Sequence, residues 1–195
     1  MVRITIEPAT TERFDDAQHA LTGGGDGASC QCQWWMMPGA EFDRTTRAER
    51  EGMLRRELDD GPPPALIAYV DGEAAGWVRV GPRTRQVRLA RTRNYAPHSE
   101  EPWDDPSVWA VSCFVVRKEH RRSGLNAQLL AAAVDYARQS GARVLEAYPL
   151  DPANGRQKSS NDLYHGILST FREAGFREVA RPRPDLAIVS LELRD

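Results

Sequence analysis

The stretch VVRKEHRRSGLNAQLL, Val115 to Leu130, joins two apolar runs through a cluster of charge and a single glycine, with no Asn-Gly or proline turn between them. The run before it, SVWAVSCFVV, reads as a buried strand. The run after it, SGLNAQLLAAAVDYARQSGA, reads as a long helix closed by Gly141. A strand that passes directly into the first turn of a helix leaves the helix's first N–H groups, here around Ser123 to Ala127, without partners. Together with the positive end of the helix dipole, those donors form an anion site. Gly124 removes the side chain that would hold a phosphate off the backbone, and Arg121 and Arg122 add mobile positive charge at the rim. The ligand that suits such a place is a phosphate or pyrophosphate. The competing reading makes Ser123 a helix cap and the arginines a solvated rim. The chain carries neither a P-loop nor a dinucleotide fingerprint, because GGGDG at Gly23 to Gly27 follows a helix and lacks the spacing of either.

Working outward, VRITIEP reads as a first strand, and TTERFDDAQHAL as a helix with Phe14, Ala17 and Leu21 on one side. GGGDGASCQCQWWMMPGA is too rich in glycine and too aperiodic for either element and reads as a loop. DRTTRAEREGMLRRELDD is a half-exposed amphipathic helix with Met53, Leu54 and Leu58 on one side. Asp71-Gly72, set between two runs of strand formers, predicts a hairpin with strands at Ala65 to Val70 and Ala74 to Val80. A long connection follows from Pro82 to Pro106, of a length more often functional than idle. Beyond the quoted stretch, RVLEAYPL is a strand, DPANGRQKSS a loop, SNDLYHGILSTFREAGF a helix, and REVARPRPDLAIVSLEL two strands around a proline-rich turn. The order β α α β β β α β α β β describes one α/β domain over residues 1–195, a single mixed sheet with helices on both faces.

Composition narrows the function. With 195 residues, 41% of them hydrophobic, one sizeable core is the expectation. A net charge of −2 lacks the footprint of a protein that grips a phosphate backbone, so nucleic acid is not an expected partner. The apolar runs fall short of the ~20 residues that span a bilayer, and Met1 to Phe14 does not read as a signal peptide. The expectation is a cytoplasmic protein without a membrane partner. Three cysteines argue against a disulfide framework. Cys30-x-Cys32 and Cys113, with scattered His19, His98, His120 and His165, do not give paired zinc spacing, so no metal is expected.

The segment FVVRKEHRRSGLNAQLLAAAVDYARQSGA resembles the acyl-CoA-binding segment of the GNAT N-acetyltransferase superfamily, in which a strand meets Arg/Gln-x-x-Gly-x-Gly/Ala. Asn126 stands at the last Gly/Ala position, with Ala127 beside it. STFREAGFREVAR is similar to the family's C-terminal helix and strand. The resemblance implies the GNAT fold, a mostly antiparallel sheet of about seven strands with a splay between strands 4 and 5. It implies acetyl-CoA as co-substrate, with the pyrophosphate on the amides of Arg122, Ser123, Gly124, Leu125, Asn126 and Ala127, and the pantetheine along Phe114, Val115 and Val116. An amine acceptor, small molecule or protein, and a homodimer are further expectations.

Acyl transfer to an amine of pKa about 10.4 requires a base. The resemblance suggests Glu146, on the strand RVLEAYPL, and leaves Ala110 where other members carry a glutamate. Phe171 takes the place of the tyrosine that often protonates the leaving sulfur beside CoA, and Tyr164 is the candidate to replace it. Cys113, near the reactive centre by this alignment, reads as a small apolar core residue. Trp34, Trp35 and Met36 are candidates for an apolar acceptor wall. SEEPWDDP, Ser99 to Pro106, is either an attractor for a cationic amine or a solvated face. Two classes of function stand at this point: an N-acetyltransferase working in a ternary complex, and a catalytically silent acyl-CoA-binding sensor or interaction module.

Overall fold

The computed structural model describes residues 2–154 and 163–193. The elements are β1 (Ile4–Pro8), α1 (Phe14–Leu21), α2 (Gly27–Cys30), α3 (Gly39–Phe42), α4 (Arg47–Asp60), β2 (Ala65–Val70), β3 (Glu73–Pro82), β4 (Val108–Val116), α5 (Leu125–Gln139), β5 (Val144–Ala147), α6 (Leu168–Glu173), β6 (Arg177–Arg183) and β7 (Leu186–Glu192). The strands form one sheet in the order β1-β2-β3-β4-β5-β7-β6. Every pairing is antiparallel except β4 with β5. A parallel pair needs a crossover, and α5 supplies it. The β2–β3 turn has Asp71 and Gly72 both at positive φ, 51° and 90°, as the Asp-Gly pair predicts.

One irregularity in β4 shapes the rest. Trp109 and Val111 face α5, and Ala110 faces the opposite side. The β3 register then jumps from Val111 opposite Val80 to Cys113 opposite Arg79, leaving Ser112 without a partner residue. The bulge reverses the alternation, so that Phe114 and Val116 face α5 while Cys113 and Val115 turn to the other face. β5 pairs with β4 only from Val108 to Val111. The remaining half of β4, Ser112 to Val116, has left its neighbour, and this is the expected splay between strands 4 and 5.

Three apolar groups hold the sheet. On one face Leu125, Leu129, Leu130 and Ala133 of α5 pack against Val78, Val80, Val111 and Leu145. Each such leucine contributes about 1.5–3 kcal/mol by leaving water. On the other face α1 and α4 bring Phe14, Leu21, Leu54 and Leu58 onto Ile67 and Trp77. The connection between β3 and β4 covers the rest of that face with Leu89 and Tyr95 over Ala110, Tyr148 and Ile188. α4 starts with a capping box in which Thr46 and Glu49 satisfy each other's backbone N–H groups.

Two expectations are corrected. The glycine-rich connection after α1 is not wholly irregular, since it contains α2 and α3, each a single turn. The helix expected from Ser160 is far shorter. Residues 160–162 and part of the preceding loop, 155–159, lie outside the described residues. What is described is a 3-10 turn, Leu163–His165, then Gly166, then α6. Gly166 sits at φ 79°, where a Cβ would meet Phe171 Cε2 at 2.7 Å, so the chain turns there instead of continuing as helix.

Candidate acyl-donor site

α5 begins at Leu125 after Gly124, which caps it in the left-handed region at φ 78°. Arg122 is also left-handed, at φ 63°. Ser123 does not cap the helix: its hydroxyl donates to the His120 carbonyl at 2.6 Å. Ala127 is the first residue of this turn whose N–H is used, donating to the Gly124 carbonyl at 3.1 Å. Among the described residues the N–H groups of Arg122, Ser123, Gly124, Leu125 and Asn126 meet no backbone acceptor. Alternating left-handed residues with free amides make an anion-binding concavity. Nothing lies within 4 Å of where a Gly124 Cβ would stand, so the approach to these amides is open. The donor row therefore ends one residue earlier than expected, because the Ala127 N–H is committed and its side chain is exposed.

These amides open into a cavity of about 750 Å³ that runs back along the splayed half of β4. Phe114, Val115, Val116, Arg121, Arg122, Gly124, Leu125 and Asn126 all line it. The Arg117 N–H bonds to the Ala75 carbonyl on β3 at 3.0 Å. Backbone direction alternates along a strand, so the N–H and C=O of Val116 and Phe114 point away from β3, toward the cavity. The Arg121 Nε, donating to the Val116 carbonyl at 3.2 Å, already uses that open edge. Among the described residues, His120 Nε2 and Asn126 Oδ1, both buried in this region, meet no hydrogen-bond partner. Across from them stand Gly24, Gly25, Asp26 and Gly27, which sequence reading left as an undistinguished loop. Their place depends on contacts such as Arg121 Nη2 close against Gly24, which no local pattern encodes.

The far end of the cavity is walled by Trp34, Trp35, Phe42, Leu163, Tyr164 and Ile167. Trp34 meets Phe42 edge to face at 5.0 Å and carries the Arg88 guanidinium on its face at 3.4 Å. Burial pushes the Tyr164 hydroxyl above the usual phenol range, which keeps its proton in place. Cys30, Cys32 and Cys113 complete this end, so Cys113 borders the cavity and is not simply core.

Besides Ala127, four expected site residues lie outside the cavity lining. Ser123 is exposed and turned to His120. Met36 stands behind the wall, its sulfur accepting from Arg79 Nη1 at 3.2 Å. Phe171 is fully buried between Phe114 and Phe176, at ring distances of 6.1 and 5.2 Å. Glu146 is 1% exposed and its two oxygens are taken by Arg83 at 2.9 Å, Ser99 at 2.7 Å and Tyr148 at 2.6 Å. Three of the roughly four acceptor positions of this carboxylate are thus taken by donors of the chain itself. The cluster ties β5 to the long connection, because the same Arg83 also donates to the carbonyls of Glu101 and Pro102 and lies over Trp103 at 4.0 Å.

The acidic run on that connection is likewise structural. Glu100 pairs with Arg177 at 2.6 Å, and Arg143 holds Glu101 at 2.6 Å and Asp105 at 2.9 Å. Elsewhere Glu73, Glu119 and His120 bring one possible metal-ligating atom each within 4.8 Å of one another. Glu73 there meets His19 Nε2 at 3.0 Å, and Glu119 pairs with Arg117, so both carboxylates already have partners within the chain. Among the described residues no helix is long and apolar enough to cross a membrane.

Comparison with known proteins agrees with this geometry. The chain aligns over 97% of its length with a ribosomal-protein-alanine N-acetyltransferase from Brucella melitensis, covering 99% of that chain at 19% identity and a TM-score of 0.56. An N-acetyltransferase from Staphylococcus aureus Mu50 aligns over 98% and 99% of the two chains at 16% identity and a TM-score of 0.56. PaiA N-acetyltransferase from Thermoplasma acidophilum, solved in complex with coenzyme A, aligns over 97% and 99% at 12% identity and a TM-score of 0.55. At these identities the likeness is one of fold. No curated protein matches the sequence. The profile of the acetyltransferase (GNAT) family matches residues 30–165, from the paired cysteines through the β4–α5 turn to His165. With that turn, the splayed strand and the sheet order all in place, the chain belongs to the acetyltransferase (GNAT) family, whose chemistry is acyl transfer from acyl-CoA.

Proposed function

We propose that this protein transfers an acyl group, acetyl in the first instance, from its CoA thioester to a primary amine that enters over Trp34 and Trp35. The observation that carries the reading is the row of free amides from Arg122 to Asn126 opening into the same cavity as the unpaired edge of β4. A pyrophosphate satisfies those donors at the positive end of α5, and Arg121 and Arg122 stand at its rim. The open backbone groups of Phe114 and Val116 match the amides of a pantetheine arm as another strand would. The thioester supplies an activated acyl carbon. The chain then offers its carbonyl oxygen a preset backbone N–H on the β4 edge, which stabilises charge at that oxygen without reorganisation. Tyr164, protonated and on the cavity wall, is the donor for the departing sulfur.

We assign Glu146 no part in taking the acceptor's proton, because its oxygens already accept from Arg83, Ser99 and Tyr148. The acceptor is a small molecule or a protein amine, and the aromatic wall favours one with an apolar or aromatic neighbour to its nitrogen. Three free thiols fit a reducing, cytoplasmic setting. The placement of Glu146, Ala110 and Phe171, none of which presents an acid or base to the cavity, gives the sensor reading its own support. Calorimetric titration with CoA and acetyl-CoA, followed by thiol release against an amine panel, separates the two. Binding with amine-dependent release identifies the enzyme, binding without release the sensor, and absence of binding overturns the assignment of the amides.

A further inference from the structure

All three cysteines of the chain converge on the acyl end of the cavity, from two distant segments. Cys32 is 3% exposed, and Trp77 Nε1 and Arg79 Nε both donate to its sulfur at 3.2 Å. Cys113 stands opposite Arg79 across the β3–β4 register, beside the same guanidinium that reaches the Cys32 sulfur. A neutral thiol is a weak acceptor, and two donors, one a guanidinium, describe the surroundings of a thiolate. The Cys113 proton, opposed by burial and aided by Arg79, brings Cys32 down to about 6, while Cys113 is pushed up. Arg79 keeps its place through Glu57, 2.8 Å away on α4. Among the described residues the three sulfurs do not form a set of metal-ligating atoms in mutual reach.

We propose that Cys32 and Cys113 are a hydroperoxide-reactive dithiol, whose oxidation to an intrachain disulfide ties the segment bearing Trp34 and Trp35 to β4 and closes the acyl end. The Cys32 thiolate attacks the peroxide oxygen: an S–O bond forms, the O–O bond breaks, and hydroxide leaves and takes up a proton as water. The Cys113 sulfur then gives up its proton and displaces the Cys32 oxygen as a second water. The dithiol loses two electrons and the peroxide gains them. Formation of the disulfide rests on the placement of both thiols on one cavity wall around Arg79, and its effect on turnover rests on the proposed function.

The test treats the purified full chain with hydrogen peroxide, counts thiols after denaturation, and maps tryptic peptides. The expected result is a fall from three thiols to one and a link between peptides 14–44 and 94–117 through Cys32 and Cys113. In Cys113→Ser, dimedone traps a sulfenic acid at Cys32. In Cys32→Ser the oxidation slows at least tenfold, and Cys30→Ser leaves it unchanged. Wild-type protein that keeps three thiols, or links through Cys30, overturns the proposal, and this result needs no variant to fold. Mass mapping reads the link whether or not the protein acylates amines. A complete link that leaves acetyl-CoA binding and amine-dependent thiol release unaltered would overturn the closing effect.

Discussion

The two ends of the cavity are built in opposite ways. The donors of the phosphate end come from one continuous run, Val115 to Asn126, in which strand, turn and helix start supply backbone N–H groups and open space. The acyl end is assembled from the α1–β2 connection, β4 and the segment at Leu163 to Ile167, and it works through side chains: two tryptophans, a tyrosine and three sulfurs. A backbone site needs only the right dihedrals and the absence of a side chain. A side-chain site needs several distant segments held in register, and so depends on the packing behind it.

Breaking the phosphate end alone gives the largest effect. Gly124→Glu places a strained side chain and a negative charge among the free amides. We expect a loss of CoA affinity of 100-fold or more by calorimetry, with the thermal midpoint lowered only slightly. Affinity within a few-fold of wild type would mean that the amides hold no phosphate.

The packing behind the acyl end is next. Arg83→Met leaves the Glu146 carboxylate buried without its cation, at a cost of about 3–5 kcal/mol in unfolding free energy by urea titration. Glu146→Gln should cost less, because the amide oxygen still accepts from Tyr148 and Arg83 while its NH2 can donate to the Ser99 hydroxyl. If Glu146 only pins the connection, both variants shift stability while the pH profile of any surviving turnover keeps its shape. A lost limb in the Glu146→Gln profile would return that residue to catalysis.

Tyr164→Phe removes one proton from the acyl end and nothing from the phosphate end. Turnover should fall roughly 10- to 100-fold with CoA affinity unchanged, and parallel loss of both would show the ring to be packing alone. The smallest effect belongs to the acidic run. Bonds from Ser107 and Arg143 hold the Asp105 carboxyl at about 2 against an ordinary value of 3.8. A depressed folded value stabilises above the ordinary one and is lost as pH falls through the folded one. Asp105→Asn should therefore lower the thermal midpoint modestly at pH 7, and the difference from wild type should vanish near pH 2.

The same contrast governs what could be read in advance. Asp71-Gly72 announced the β2–β3 hairpin, and the charged turn before Gly124 announced an anion site, because both are set by residues adjacent in sequence. Glu146 shows the limit of local reading: a carboxylate on a strand near the splay reads equally as a base or as a positioning contact, and only the fold brings Arg83, 63 positions away along the chain, to within 2.9 Å of it. Met36 was one residue too far along a wall that Trp34 and Trp35 do form. The bulge at Ser112, which turns Cys113 and Val115 to the face opposite Phe114, left no mark in the apolar run SVWAVSCFVV, since every residue there is compatible with burial on either side.

The sequence by itself determined the order of the strands and the longer helices, a strand leading into a helix, and the backbone donors at that junction, because short-range sterics and hydrogen bonding choose them. The tertiary structure alone decided which carboxylate is free, which loop faces the amides, and that three cysteines from two segments share one wall. Those outcomes depend on the distance between groups far apart in the chain, and packing, not local preference, sets that distance.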